Sequence, residues 1–284
     1  MSKIVLITGA STGLGFSIAI QAAQGGHRVY ATMRDLAKQD ALQAAASTAG
    51  VALETLALDV QNVASVNAAV ATVIEREGRI DVLVNNAGAG YARSTEQASY
   101  DDIDWVMDVN FMGVVRATKA VIPHMRAARS GHIINISSIG GLVGQPFNEI
   151  YCAAKFAVEG YTEAMASYIQ PSFGVKFTVV EPGGIRSEFG NSAMKQITST
   201  GGLLEDEYLP ILQKYLGGAQ ARGTSAYQTS DEAAAVVIGC MEAADPPIRI
   251  RTSAWAEDLC DLKTRADPDG KKLQKKVVEM FLGG

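Results

Sequence analysis

Short, nearly unbroken apolar runs recur along the chain at residues 3–8, 28–33, 52–57, 80–84, 132–137 and 176–180. Between them apolar residues return at helical spacing, as at 16–24, 64–77 and 100–129, the last broken near 110–113. A strand with apolar residues on both faces must be covered on both faces. Alternation of such strands with helices therefore predicts an α/β protein built on a doubly wound, Rossmann-type, mostly parallel sheet.

The chain has 284 residues, and no Pro/Gly/Ser-rich linker divides it, so one domain over 1–284 is expected. Hydrophobic residues at 48% and charged residues at 19% supply a large core and exclude a disordered composition. A formal charge of −5 gives no electrostatic footprint for nucleic acid or an anionic membrane. Three widely spaced cysteines, Cys152, Cys240 and Cys260, indicate neither a disulfide framework nor a zinc site, and fit a reducing, cytoplasmic compartment. His27, His124 and His132 are scattered, without metal-like spacing, so no metal site is expected. The apolar start is interrupted by Thr8 and glycines within a few residues, which reads neither as a signal peptide nor as a membrane span. The sequon at Asn135 falls within an expected core strand and is read as irrelevant.

Two local patterns carry chemistry. The first strand runs into Gly9-Ala-Ser-Thr-Gly13-Leu-Gly15 and then into a helix. Glycines there let a backbone approach a pyrophosphate, and the helix start offers unpaired N–H groups and a positive dipole end. The spacing is G-x-x-x-G-x-G rather than G-x-G-x-x-G, so the turn alone does not identify a ligand. The second pattern is Tyr151 and Lys155, four residues apart on one helix face, where a fixed cation favours ionisation of a phenol. About 0.4 such Tyr/Lys pairs are expected by chance in this composition, so spacing alone does not decide.

Taken together with Asn85-Asn-Ala-Gly88, Asn110, Ser138 and Pro182-Gly183, these patterns make the chain resemble the short-chain dehydrogenases/reductases. Thr8 to Gly15 resembles the T-G-x-x-x-G-x-G motif. Asn110, Ser138, Tyr151 and Lys155 match the catalytic tetrad, with Ser138 thirteen residues before the tyrosine. Ser187 stands where the P-G-x-x-x-T pattern has threonine and keeps a hydroxyl. The matches run from residue 3 to about 190, and no family motif follows. The resemblance implies the same doubly wound architecture, with a seventh strand near 248–251, and assembly as a homodimer or homotetramer.

It also implies roles. Tyr151 acts as general acid in reduction and general base in oxidation. Lys155 lowers the phenol pKa and holds the nicotinamide ribose hydroxyls, Ser138 polarises the substrate carbonyl, and Asn110 distorts its helix and holds a relay water. Ser137 is the local competitor of Ser138, and a mid-helix asparagine that only bonds its own backbone is the plain alternative for Asn110. The cofactor is expected on Gly9, Ser11, Gly13, Leu14 and Gly15, with Asp59 and Val60 toward adenine. Asn86, Ala87 and Gly88 fall along the nicotinamide side, with Pro182, Gly183, Ile185 and Ser187 at the carboxamide. A turn-capping aspartate is the plain alternative for Asp59. Met33 stands where NAD-selective relatives place an acid and cannot accept from a ribose 2′-hydroxyl. Arg34 follows and can pair with a 2′-phosphate, so NADP is expected over NAD, against a reading of Arg34 as a solvated loop charge.

The expected function is NADP-dependent interconversion of a secondary alcohol and a ketone or aldehyde, with motifs similar to the branch that includes 17β-hydroxysteroid dehydrogenases. Competing readings are a catalytically silent NADP-binding redox sensor and a nucleotide-sugar epimerase or dehydratase. Beyond the last motif, 187–228 holds several glycines around the amphipathic stretch 203–216. It is read as a mobile lid selecting a bulky, largely apolar substrate, against an ordinary surface helix pair or a subunit contact. Tyr91, Phe147, Phe189, Tyr208 and Tyr215 stay open between pocket lining and plain packing. Cys152, the next helical residue after Tyr151, is read as a buried bystander.

Overall fold

The apolar runs become strands β1 (Ile4–Ile7), β2 (Arg28–Met33), β3 (Glu54–Ala57), β4 (Val82–Asn85), β5 (Gly131–Ile136) and β6 (Val175–Glu181). Two short strands, β7 (Ile185–Arg186) and β8 (Gln228–Thr229), and β9 (Arg249–Arg251) complete the set in the computed structural model, which describes residues 2–199 and 201–282. The main sheet has seven strands in the order β3-β2-β1-β4-β5-β6-β9, every neighbouring pair parallel.

The strands place alternate residues on opposite faces. Leu6, Leu83, Ile133 and Phe177 pack on one side against α3 (Val63–Glu77), α5 (Gly113–Ala128) and α6 (Glu149–Phe173). Val5, Ile7, Val84 and Ile134 pack on the other against α1 (Gly13–Gln24), α2 (Asp40–Thr48) and α9 (Ser230–Glu242). The doubly wound architecture expected from the sequence is therefore the one observed. The helix over 100–129 is broken where expected: α4 (Tyr100–Met107) passes through a π-helical turn at Asp108–Met112 into α5. From β1 the chain winds outward through β2 and β3, then returns to β4 on the other side. That reversal opens a crevice at the carboxyl ends of β1 and β4.

Past β6 come α7 (Glu188–Ser199) and α8 (Leu209–Ser225), with α10 (Ala254–Thr264) and α11 (Lys271–Leu282) closing the chain. Here the sequence reading needs correction. The amphipathic stretch 203–216 becomes helical only from Leu209, and α8 runs on through Gly217 and Gly218. The preceding helix is α7, which contains Gly190; among the described residues of this region Gly201 and Gly202 take positive φ, at 102° and 76°. Thr200, within the expected lid, lies outside the described residues, as do Met1, Gly283 and Gly284. β7 and β8, too short to be read from any pattern, pair in parallel and bring the two ends of this cap together.

Candidate active site

The crevice is built from loops at the carboxyl ends of β1, β4, β5 and β6. After β1, Gly9 takes φ 68°, and an added Cβ would come 2.7 Å from Ala87 Cα. The loop after β4 is bound to this turn from several directions. The Thr8 hydroxyl accepts from Asn86 N and Ala87 N at 3.0 Å each, and Asn86 Nδ2 donates to Thr8 O and Gly9 O at 2.9 Å each. A Cβ on Gly15 would collide with Asn86 Nδ2, which explains the third glycine. The role of the Asn-Asn-Ala-Gly loop as a brace is thus visible in its bonds, and Asn85 Nδ2 extends it by donating to Asn135 Oδ1 at 2.8 Å.

The groups expected at a dinucleotide fit one. Thr12 caps α1 in extended conformation with no side-chain cap bond, and the first turn holds no acid, so its N–H groups remain available to phosphate. Gly13, at φ 62°, faces Ser187, whose Cβ an added methyl would approach to 3.5 Å, so the loops after β1 and β6 meet there. Ser11 and Leu14 are half-buried beside this turn. Arg34 is exposed at the end of β2 and has no ion pair or hydrogen bond among the described residues, while Met33 is buried. Asp59 accepts from Gln61 N at 3.0 Å as a turn cap, and Val60 gives its carbonyl to Arg116 at 3.1 Å. Pro182 O accepts from Ile139 N at 2.9 Å, Gly183 lies under the Trp255 ring, and Ile185 pairs with Gln228.

At the catalytic end, Asn110 sits in the π-helical turn, fully buried. Its Nδ2 donates to Ala89 O at 3.0 Å and Val106 O at 2.9 Å, and its Oδ1 accepts from Ala89 N at 3.0 Å. The asparagine thus bonds its own helix at Val106 O within the π-helical turn, and its amide clamps the loop after Gly88. Gly88 itself must lack a side chain, since a Cβ would lie 2.9 Å from Asn110 Oδ1 and 3.6 Å from Lys155 Nζ.

Tyr151 and Lys155 share one face of α6, with Lys155 Nζ 5.7 Å from the Tyr151 ring centroid. Ser138, at the end of β5, accepts from Gly140 N at 3.0 Å, and its hydroxyl favours ionisation of Tyr151. A Cβ on Gly140 would lie 3.3 Å from Ser138 Oγ and 3.4 Å from both Cys152 Sγ and Tyr151 Cε1, so the glycine makes room for that convergence. Ser137 faces the interior with its hydroxyl 3.5 Å from Lys155 O, which leaves Ser138 as the serine beside the tyrosine.

The expected acidification of the phenol is absent here. Burial raises Tyr151 to about 12, outweighing Ser138, and burial lowers Lys155 to about 8. The ammonium donates to Ile136 O at 3.0 Å rather than toward the phenol oxygen, so loss of water dominates both groups. Cys152 is buried with its thiol pushed up by burial, in keeping with a bystander. His27 bonds Glu242 and His132 bonds Thr178, both structural, and no group of metal-binding side chains occurs among the described residues.

The cap closes over this end. The Phe189 ring lies 5.9 Å from the Tyr151 ring, and Phe189 and Ala193 pack on Gly90. Phe147, at φ 60°, stacks with Tyr208 and Tyr215 at 6.5 and 6.2 Å. Of the aromatics left open by the sequence, these four therefore gather at the mouth, and Tyr91 is buried beside them in the loop after β4. Gly90 and Gly140 were not singled out from the sequence, and Phe147 was named there without its positive φ. The Ile139-Gly-Gly run just after Ser138 was the available signal for Gly140; a positive-φ phenylalanine leaves none.

A family model described as short chain dehydrogenase matches residues 3–198. Retinol dehydrogenase 8 of Bos taurus is 37% identical over 274 residues, covering 94% of this chain and 86% of its own. The 17-beta-hydroxysteroid dehydrogenase type 1 of Mus musculus is 37% identical over 276 residues, covering 94% and 78%. The crystal structure of a short-chain dehydrogenase from Streptomyces avermitilis superposes with a TM-score of 0.77 at 29% identity, covering 97% of each chain.

Proposed function

Since the chain belongs to the short-chain dehydrogenase family of NAD(P)-dependent oxidoreductases, we propose that it interconverts a secondary alcohol and a ketone on a bulky, largely apolar molecule, using NADP and Tyr151. The observation that carries this reading is the convergence of Ser138, Tyr151 and Lys155 beside Gly88, beneath an aromatic ring of the cap.

The nicotinamide, when bound, gives or takes the hydride; the chain handles the proton and the geometry. In reduction Tyr151 Oη donates a proton to the substrate oxygen, and in oxidation it accepts one. Ser138 Oγ, held by Gly140 N, hydrogen-bonds the same oxygen and fixes its position. Lys155 holds the ribose hydroxyls and, with polar partners around it, its positive charge favours the tyrosinate. Asn110 fixes the loop that carries Gly88.

Arg34 supports NADP, since an exposed, unpartnered guanidinium suits a 2′-phosphate and Met33 offers no acceptor to a 2′-hydroxyl. The aromatic mouth of Phe147, Phe189, Tyr208 and Tyr215 supports an apolar substrate, as do relatives named for a retinoid and a steroid. Segment 187–228 is read as the lid that selects it. A panel of retinoid, steroid, long-chain and small polar ketones, followed by loss of NADPH absorbance, tests the reading. Turnover of bulky apolar ketones is expected, and turnover confined to small polar carbonyls or absent throughout overturns it. Hydrogen exchange tests the lid: protection within 187–228 should rise when NADPH and a substrate analogue are bound together, and unchanged protection with the site occupied refutes it.

A further inference from the structure

The catalytic helix carries a third ionisable residue in register. Tyr151, Lys155 and Glu159 follow one another at four-residue spacing on α6, so one face presents phenol, ammonium and carboxyl in sequence. Glu159 is buried, 7% exposed, and touches no solvent-facing cation. Opposite it, at the end of β6, stands Glu181, fully buried at 0%. The two carboxyls are within hydrogen-bonding range, and each leaves its Oε1 without a donor. Gly141 is what admits them, since a Cβ there would lie 2.8 Å from Glu159 Oε1 and 2.6 Å from Ser137 Oγ.

The charges around this pair are four carboxylates against three cations. From α6 come Lys155, Glu159 and Glu163; from β6, Glu181; from β9, Arg249 and Arg251; from α10, Glu257, with the Cys260 thiol nearby and uncharged. Arg249 Nη2 pairs with Glu163 at 2.5 Å. Arg251 is divided between Glu181, at 3.1 Å, and Glu257, at 2.9 Å. Glu159 is thus the one carboxyl with no cation of its own, and one proton brings the cluster to neutrality. Two buried carboxylates facing each other with no donor between them do not both ionise, because their repulsion adds to the loss of water. Burial raises both carboxyls above their ordinary range, Glu159 the more strongly because the charge of Glu181 adds to it, whereas the contact with Glu159 favours the ionised form of Glu181.

We propose that Glu159 and Glu181 share one proton as a buried carboxyl pair whose charge sets the ionisation of Lys155 one helical turn away, making Glu159 a positioning residue for the reaction proposed above. Glu159 acts on Lys155 through space, the direction being to favour its charged form. Since the pair also contacts Arg251, rearrangement at β9 reaches the catalytic lysine through it.

Two measurements test this, one independent of turnover. Infrared spectra of the wild-type protein across neutral pH should contain the C=O stretch of a buried protonated carboxylic acid, persisting far above the ordinary glutamate pKa of about 4.3. That band should disappear in Glu159→Gln and in Glu181→Gln. No such band in the folded wild-type protein overturns the pairing, whatever the substrate proves to be. The pH profile of ketone reduction then reads the coupling to Lys155. Glu159→Gln confines the pair's one negative charge to Glu181, off the helix that carries Lys155, so the basic limb should move to lower pH. Glu181→Gln leaves Glu159 as a lone ionised carboxyl, so the limb should move to higher pH. Limbs that stay in place, or that move together, overturn the coupling, and a purely packing role predicts that outcome. Should either variant fail to fold, the wild-type infrared titration decides the pairing. Activity retained by Tyr151→Phe would instead count against the proposed reaction and leave the infrared result standing.

Discussion

The loops proposed to hold the cofactor and the cap proposed to select the substrate are held by different kinds of bond. On the cofactor side, Thr8, Asn86 and Asn110 are bonded to neighbouring backbone by buried or half-buried hydrogen bonds, and glycines close the remaining gaps. Moving any one part breaks several bonds and leaves polar groups unpaired, which is costly. The cap is tied down by side chains nearer the surface: Gln97 to Asp206, Tyr208 to Glu96, Gln196 to Asp102 and Asn148 to Tyr215. Each such bond is individually weak and replaceable by water. Arg93, 3% exposed and donating to Gly202 O at 2.9 Å, anchors it in depth, beside the buried side chains of Ile197 and Leu212. A stiff base thus fixes the reacting atoms, while a loosely tied cover leaves room for substrates of different shape.

Variants of the base should lose activity to the same extent with every substrate, and variants of the cap should discriminate among substrates. The largest loss is expected from Tyr151→Phe, which deletes one hydroxyl and keeps the ring: turnover should fall by roughly 10²–10⁴-fold with NADPH binding retained. Steady-state kinetics beside a fluorescence titration of NADPH checks both halves, and more than about a tenth of wild-type activity defeats the assignment.

Arg34→Ala comes next. Loss of a charge-assisted bond worth about 1.5–3 kcal/mol raises the KM for NADPH by about 10- to 150-fold and leaves NADH little changed. Equal loss with both cofactors removes the contact from the picture.

Lys155→Met should trade activity for stability. The folded lysine has its pKa lowered to about 8, below its ordinary 10.5, so the unfolded chain binds more protons between those values. Wild-type stability contributed by this group therefore rises with pH from about 8 toward 10.5, and below about 8 the buried charge is a standing cost. At pH 7 the methionine variant should be the more stable by about 1–3 kcal/mol, a gap that narrows by pH 10. Urea denaturation at the two pH values measures it, and a variant less stable at pH 7 contradicts the desolvation argument.

Smallest on average, and most selective, is Phe189→Ala. It removes the ring over Tyr151 and should weaken bulky substrates by up to about tenfold while sparing small ones, since Phe189 is 42% exposed and burying that share of an aromatic side chain is worth about 1 kcal/mol. Uniform loss across the substrate panel would assign Phe189 to the base instead.

Much of the base was legible in the chain because it rests on local rules. Four-residue spacing puts Tyr151 beside Lys155, and continuous apolar runs announce buried parallel strands. What escaped depends on contacts between distant residues. Nothing near Glu159 announces Glu181, and the two meet only where α6 packs back against β6. The protonation of Tyr151 escaped for a related reason: a neighbouring lysine suggests acidity, but the amount of water excluded is a property of the whole fold. In the cap, the amphipathic spacing over 203–216 set the helix too early, since α8 begins only at Leu209 and continues through Gly217 and Gly218.

The short pairing of β7 with β8, with Tyr227 lying on Gly184 at its foot, has a consequence for how new specificities arise. Because it holds the two ends of the cap side by side, the intervening chain can lengthen or shorten at a conformational cost that grows only logarithmically with its length. The cap is in that sense an exchangeable cassette. Transplanting the segment between Arg186 and Gln228 from a related enzyme should carry substrate preference with it while the cofactor preference stays with the host.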